Sequence, residues 1–241
     1  MLTFGDSSGS ANLVDYDYIW IEKGSGSFTD ASPAVISVYD STNNVFSGKA
    51  SRNNSYGIYV QGSALFNLAS GASSGSLTIN AAESYSDLCA AVYTEGSFTC
   101  KDVSLTLNSS SAQDDSSSGT TEPGKSYGLY AATNSYFTSG TITANAGNTT
   151  GTETNHTVGL YTVGTAFVGS SAEVGSKTAV TINSTANKSL HVSQGMYQNN
   201  LYAYGGTINA TSGTVSTDSA TDEGVSSGIY VEDLADFRGG S

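Results

Sequence analysis

The chain has 241 residues, with 21 acidic against 8 basic side chains and a formal net charge of −13, a balance that speaks against partners read through phosphate charge, whether nucleic acid or an anionic membrane surface. Charged residues make up only 12% of it and hydrophobic residues 37%, so it is no disordered polyelectrolyte, and no stretch approaches the roughly 18 apolar residues of a membrane span. Gly, Ser, Thr, Ala and Asn fill much of the remainder, with proline only at Pro33 and Pro123, which is poor helix material and good material for short strands and turns.

The N-terminal string MLTFGDSSGS carries neither the basic start nor the apolar run of a signal peptide; residues 1–14 read as a lead-in or cap, with Met1 opening a trimmed fragment. A strand is expected in DYDYIWIE at 15–22, and from there a three-part unit recurs with a period of roughly 35 residues. Its first part is an anchor built on a small residue, an aliphatic one and an aromatic one. Trp20 (YIWIE) is a divergent first member, followed by Tyr59 (YGIYV), Tyr93 (AAVYT), Tyr130 (YGLYA), Tyr161 (VGLYT), Tyr197 (QGMYQ) and Tyr230 (SGIYV). An aromatic residue follows each anchor, at Phe28, Phe66, Phe98, Phe137, Phe167, Tyr202 and Phe237. The third part reads VISVYD (35–40), SLTINA (76–81), SLTLNS (104–109), TITANA (141–146), AVTINS (179–184) and GTINAT (206–211).

Each part is a short run rich in β-branched and aromatic residues, bounded by Gly, Ser and Asn, and so reads as a strand. Three such strands cannot bury their own apolar side chains, so the units must stack, each strand pairing with its counterpart about 4.8 Å above and below. The fold expected is all-β: a parallel β-solenoid of the right-handed β-helix kind, about seven coils with three short strands per coil. It forms one domain over 15–241, a piece of a longer repeat protein. A β-sandwich or barrel would join its strands by tight hairpins, which leaves the three-part unit unexplained.

Alternation along a strand assigns faces. The aliphatic residues Ile58, Val92, Leu129, Leu160, Met196 and Ile229 are expected inside, the ring beside each of them outside, and the preceding glycine or alanine on that same outer face. In the third part, Leu77 with Ile79, Leu105 with Leu107, Ile142 with Ala144 and Val180 with Ile182 point inward. Thr78, Thr106, Thr143, Thr181 and Thr207 then form an outward column, and Asn80, Asn108, Asn145, Asn183 and Asn209 an amide ladder from coil to coil. The Phe series is expected as an internal stack.

YGIYVQG, SLTINA, YGLYAAT and GTINATSG resemble the parallel β-helix repeats of bacterial cell-surface proteins, including autotransporter passenger domains and adhesin-like proteins, over about residues 15–238. The resemblance implies an exported segment, extracellular or displayed on the cell surface, that is adhesive or structural and meets a glycan or a surface protein. The candidate binding surface is the column Trp20, Tyr59, Tyr93, Tyr130, Tyr161, Tyr197 and Tyr230, whose rings could stack on sugars or merely cover one another. A second candidate is the edge gathered from the connections 40–55, 109–126, 146–157, 184–194 and 210–226.

Signals for chemistry are sparse, and neither a cofactor nor a metal is expected. His156 and His191 stand near connections with no nucleophile pointing to them. The acidic groups at Asp114 and Asp115, at Asp218, Asp222 and Glu223, and at Glu232, Asp233 and Asp236 lack the spacing of a calcium-binding repeat. The alternative function is a polysaccharide-processing β-helix enzyme using loop carboxylates, since glycoside hydrolysis needs only a pair of them. Cys89 and Cys100 could close a small disulfide loop or be two buried free thiols. Regular Thr columns are also what ice-binding solenoids display; mixed flanking positions and unequal coil lengths stand against that reading here.

Overall fold

The computed structural model describes residues 1–6, 9, 11–39, 44–49, 54–84, 88–113, 123–150, 155–170, 180–189, 191–216 and 224–239. It is a parallel β-solenoid with three walls. The first wall begins with Ile19–Ile21, Ser55–Val60, Leu88–Thr94 and Lys125–Ala131 and continues through the first halves of His156–Val168, Val192–Ala203 and Val225–Phe237. The second wall stacks Leu2–Phe4, Ala34–Val38, Ala64–Leu68, Phe98–Lys101 and Ser135–Phe137 on the second halves of those three long strands. The third wall stacks Asn12–Tyr16, Asn44–Gly48, Ser76–Asn80, Val103–Asn108, Gly140–Asn145, Val180–Thr185 and Thr207–Thr211. Seven anchor strands thus bound six complete turns, from Trp20 to Tyr230.

The anchors fall into register as the repeat requires: Trp20 pairs with Tyr59, Tyr59 with Tyr93, Tyr93 with Tyr130, Tyr130 with Tyr161, Tyr161 with Tyr197 and Tyr197 with Tyr230. Ile58, Val92, Leu129, Leu160 and Met196 are fully buried. They meet Phe66, Phe98 and Phe137 of the second wall and Leu77, Ile79, Leu105, Leu107 and Ile182 of the third in one continuous core. Each fully buried side chain of this size contributes about 1.5–3 kcal/mol, and the stack spreads that gain over every coil.

Several sequence expectations shift. Three strands per coil hold only for the earlier coils. In the last three the first two walls are one strand, bent by bulges between Thr162 and Thr165 and between Gln198 and Asn200 instead of broken by a turn. VISVYD belongs to the second wall, where Ile36 pairs with Phe66; the third strand of that coil is Asn44–Gly48. Residues 1–14, read as a lead-in, carry Leu2–Phe4 and the start of Asn12–Tyr16, both paired into the walls, with Phe4 buried.

The Phe series is not one row. Phe66 and Phe137 share a register row with Cys100 between them, whereas Phe98 pairs with Ala64 and Ser135; the rings still touch inside at 5.3 and 6.0 Å. Phe167 and Tyr202 lie in the neighbouring, outward row, and Phe237 is 60% exposed. The Thr and Asn series each split in two, because Val180–Thr185 pairs two residues out of the expected alignment: Thr143 faces Asn183, and Asn145 faces Thr185.

The anchor glycines face inward, not outward. A Cβ on Gly57 would lie 2.3 Å from Ile79 Cγ2, and one on Gly128 would lie 2.6 Å from the Gly159 carbonyl oxygen and 2.8 Å from the Asn145 nitrogen. Here the first wall closes against the end of the third, and only a residue without a side chain allows the two backbones so near. Alternation breaks at this point, so Tyr56 and Tyr59, three positions apart, share the outer face and meet edge to face at 5.1 Å.

Candidate functional site

On the outer face of the first wall the seven anchor rings form an unbroken ladder. Successive centroids are 4.2 Å apart from Trp20 to Tyr59, then 5.3, 4.5, 5.2, 4.4 and 5.4 Å up to Tyr230, and interplanar angles never exceed 12°. The column is therefore outward, as expected, yet its rings lie face to face. The π-faces that would stack on a sugar are taken by neighbouring rings. What the ladder offers along its length is ring edges and phenol hydroxyls, and Trp20 and Tyr230 at its two ends are 46% and 39% exposed.

The phenols are held in defined partnerships. Tyr59 donates to the Glu95 carboxylate and Tyr197 to the Glu232 carboxylate, each on the following coil. Burial raises the phenols of Tyr59, Tyr93, Tyr130, Tyr161 and Tyr197 above their ordinary range, and the hydrogen bonds to Glu95 and Glu232 push Tyr59 and Tyr197 further. Tyr127, buried beneath the ladder, is raised well above that range by desolvation first and by its tyrosine neighbours second.

Beside the ladder runs a groove along the rod axis. One side is formed by the edges of Tyr93, Tyr130 and Tyr161; the other by Leu88, Lys125 and His156, which share a register row, with Tyr127 between the two rows. This section encloses about 320 Å³. A second section of about 200 Å³ continues from His156 past Val192 and Gln194 to Val225, Tyr230 and Glu232. Lys125 places positive charge in a chain of net charge −13. The His156 imidazole is pushed below its ordinary value by burial first, then by Lys125 and His191, and so is neutral at pH 7 in the unliganded groove. A larger hollow of about 500 Å³ lies inside the coil of Val225–Phe237, lined by Ile208, Ile229 and Phe237. Ala203, Ile208 and Ile229 in its lining continue inward rows of the stack, so the hollow is the open face of the core at the last described coil.

A second aromatic column, missed in the sequence, stands on the second wall. Tyr136, Phe167 and Tyr202 stack at 5.2 and 5.6 Å, and the Arg238 guanidinium lies 5.7 Å over Tyr204. Alternation could have found it: with Phe137, Ala166 and Val168 inward, Tyr136 and Phe167 must face out.

Cys89 and Cys100 are free thiols buried in separate clusters, Cys89 with Ala81 and Ala112, Cys100 in the main core. No disulfide joins them, and burial pushes both thiols up to about 12, far from a reactive range. Asp236 pairs with Arg238 at 2.7 Å, while Asp114, Asp115, Asp218, Asp222 and Glu223 lie outside the described residues. So does much of the connection edge; its described parts include a small ladder of Ala112–Gln113 with Thr149–Thr150. Among the described residues no three His, Cys, Asp or Glu side chains are grouped to hold a metal ion. Compared with known proteins, the chain matches no family model, no curated protein and no solved structure.

Proposed function

We propose that this chain is part of an exported, surface-displayed bacterial β-helix that acts as an adhesive rod and holds a glycan chain in the groove beside the tyrosine ladder. The observation that carries the reading is the groove itself: two adjoining hollows along the axis that share His156 and Tyr161, with phenol edges on one side and Lys125 and His156 on the other. Its ligand is extended like the rod, presents hydroxyls to the tyrosines and carries an acidic group for Lys125. The ring faces take no part, since each covers the next. An oligosaccharide containing uronate or sulfated sugars meets these requirements, and an anion seated by His156 would draw a proton onto it, so binding tightens as pH falls through the histidine range.

A glycan array followed by calorimetry tests this. Replacing Tyr93, Tyr130 and Tyr161 together by Phe keeps the ladder and removes its hydroxyls, and Lys125→Gln removes the charge. At about 0.5–1.5 kcal/mol per lost hydrogen bond, the triple variant is expected to bind roughly 10-fold to 1000-fold more weakly with an unchanged circular dichroism spectrum. Absence of any glycan ligand, or full affinity in the triple variant, refutes the reading. Release of reducing ends or unsaturated products would favour the enzyme instead.

A further inference from the structure

The threonine column expected from the sequence belongs to a face that the groove does not use. On the outer side of the third wall, five strands from Ser76–Asn80 to Thr207–Thr211 carry three register rows, and every one of these fifteen positions is Ser, Thr or Asn. A central row runs Thr78, Thr106, Thr143, Asn183 and Asn209, with rows of the same chemistry on both sides. No charge and no aromatic ring interrupts it, although the chain carries 29 ionisable Asp, Glu, Lys and Arg residues (21 + 8).

Both objections to an ice-binding face lapse. The flanking positions are uniform in chemistry, and the unequal coil lengths are taken up in the connections, leaving an unbroken register across the five strands. We infer that the outer face of these five strands, and not of Asn12–Tyr16 and Asn44–Gly48, where Val14, Val45 and Tyr16 stand, is an ice-binding face. Stacked strands repeat about 4.8 Å along the rod, and alternate residues about 6.7 Å along each strand; these two repeats lie near the two lattice repeats of a prism plane of hexagonal ice. The array is also rigid. Amide ladders run from Asn108 to Asn80 and from Asn145 to Asn108, each at 2.8 Å, and from Asn209 to Asn183 at 2.9 Å, and side-chain ladders of this kind hold a sheet flat against its natural twist. The tyrosine rings of successive coils, within 9° of parallel, show the same small coil-to-coil rotation.

The neutrality of the face selects the occupant. A protein partner would need an apolar patch centre, and a soluble sugar an aromatic platform or charged anchors; the face has none of these. Fixing liquid water on such a lattice costs entropy for every molecule immobilised. Water in ice has already lost that freedom, so a rigid hydroxyl and amide array favours the crystal over the liquid, and many weak contacts on one plane add up.

Ice growth in a nanolitre osmometer, with recrystallisation inhibition as a second readout, tests the proposal on the whole chain. Expected are faceted crystals and a gap between melting and freezing points. Thr106→Lys with Thr143→Lys, neighbours in the central row, is expected to reduce the gap about tenfold or more by breaking the simultaneous contacts, while Tyr136→Lys on the second wall leaves it unchanged. If the paired lysines prevent folding, Thr106→Lys alone serves. Unshaped crystals with the unaltered chain, full activity in a folded face variant, or adsorption to microcrystalline chitin or cellulose without effect on ice would each overturn it. The groove reading stands or falls separately, because its variants lie on another wall.

Discussion

Gly128 lies where the first wall meets backbone on two sides, the Gly159 carbonyl and the Asn145 nitrogen. Neither can turn aside as the end of a side chain would. Gly128→Ala is therefore expected to cost about 1–3 kcal/mol, the usual range for overpacking a filled core, seen as a lower urea midpoint with an unchanged slope; an unshifted midpoint would remove the glycine's assigned role. Ala91 occupies the corresponding place one coil earlier and is fully buried, so the space available differs from coil to coil. The anchor motif was legible in the sequence, but the direction of its small residue was not. A glycine carries no side chain to declare a face, and it is also the residue at which strict alternation fails most cheaply.

At the level of walls, face and register were legible to different degrees. A slip of one residue turns every side chain over, whereas a slip of two keeps each on its own side. Inward and outward faces of LTIN, LTLN and TITAN are thus legible in the sequence, while Val180–Thr185 pairs two residues away from the alignment its LTIN-like string suggests. The tyrosine ladder escaped this because every unit carries its ring at the same point of the anchor. The groove was not legible, since Leu88, Lys125, His156 and Val192 share a row but no residue type. The ladder also sets an alkaline limit to stability. Its phenols titrate near 10 when unfolded and higher when folded. The stabilisation they lend to the protonated fold is complete below pH 10 and is lost as pH rises through their folded values. Urea midpoints should fall steadily above about pH 10, with phenolate absorbance appearing together with unfolding; ladder tyrosines ionising near 10 in an intact fold would contradict the packing described.

Among the described residues each coil pairs with the coils above and below, so stability is approximately a sum of coil terms and interfaces between neighbours. Leu129 has a paired coil on both sides and is fully buried, whereas Ile229, in the same inward row of the last described coil, is 37% exposed. Leu129→Ala is expected to cost about 2–5 kcal/mol and Ile229→Ala about 1 kcal/mol, since part of its side chain already meets solvent. Amide exchange should follow the same gradient, slowest around Leu129 and Leu160 and faster through Val225–Phe237, where Leu234 and Phe237 are exposed as well. Equal protection at both places would mean that the rod melts as one unit and that neighbour terms do not govern it. The gradient bears on the groove, because the section walled by Tyr93, Tyr130 and Tyr161 lies in coils paired on both sides while Tyr230 and Glu232 belong to the last described one. A ligand spanning both sections would have to hold that last coil in place, and its binding should slow exchange through Val225–Phe237 more than in the central strands.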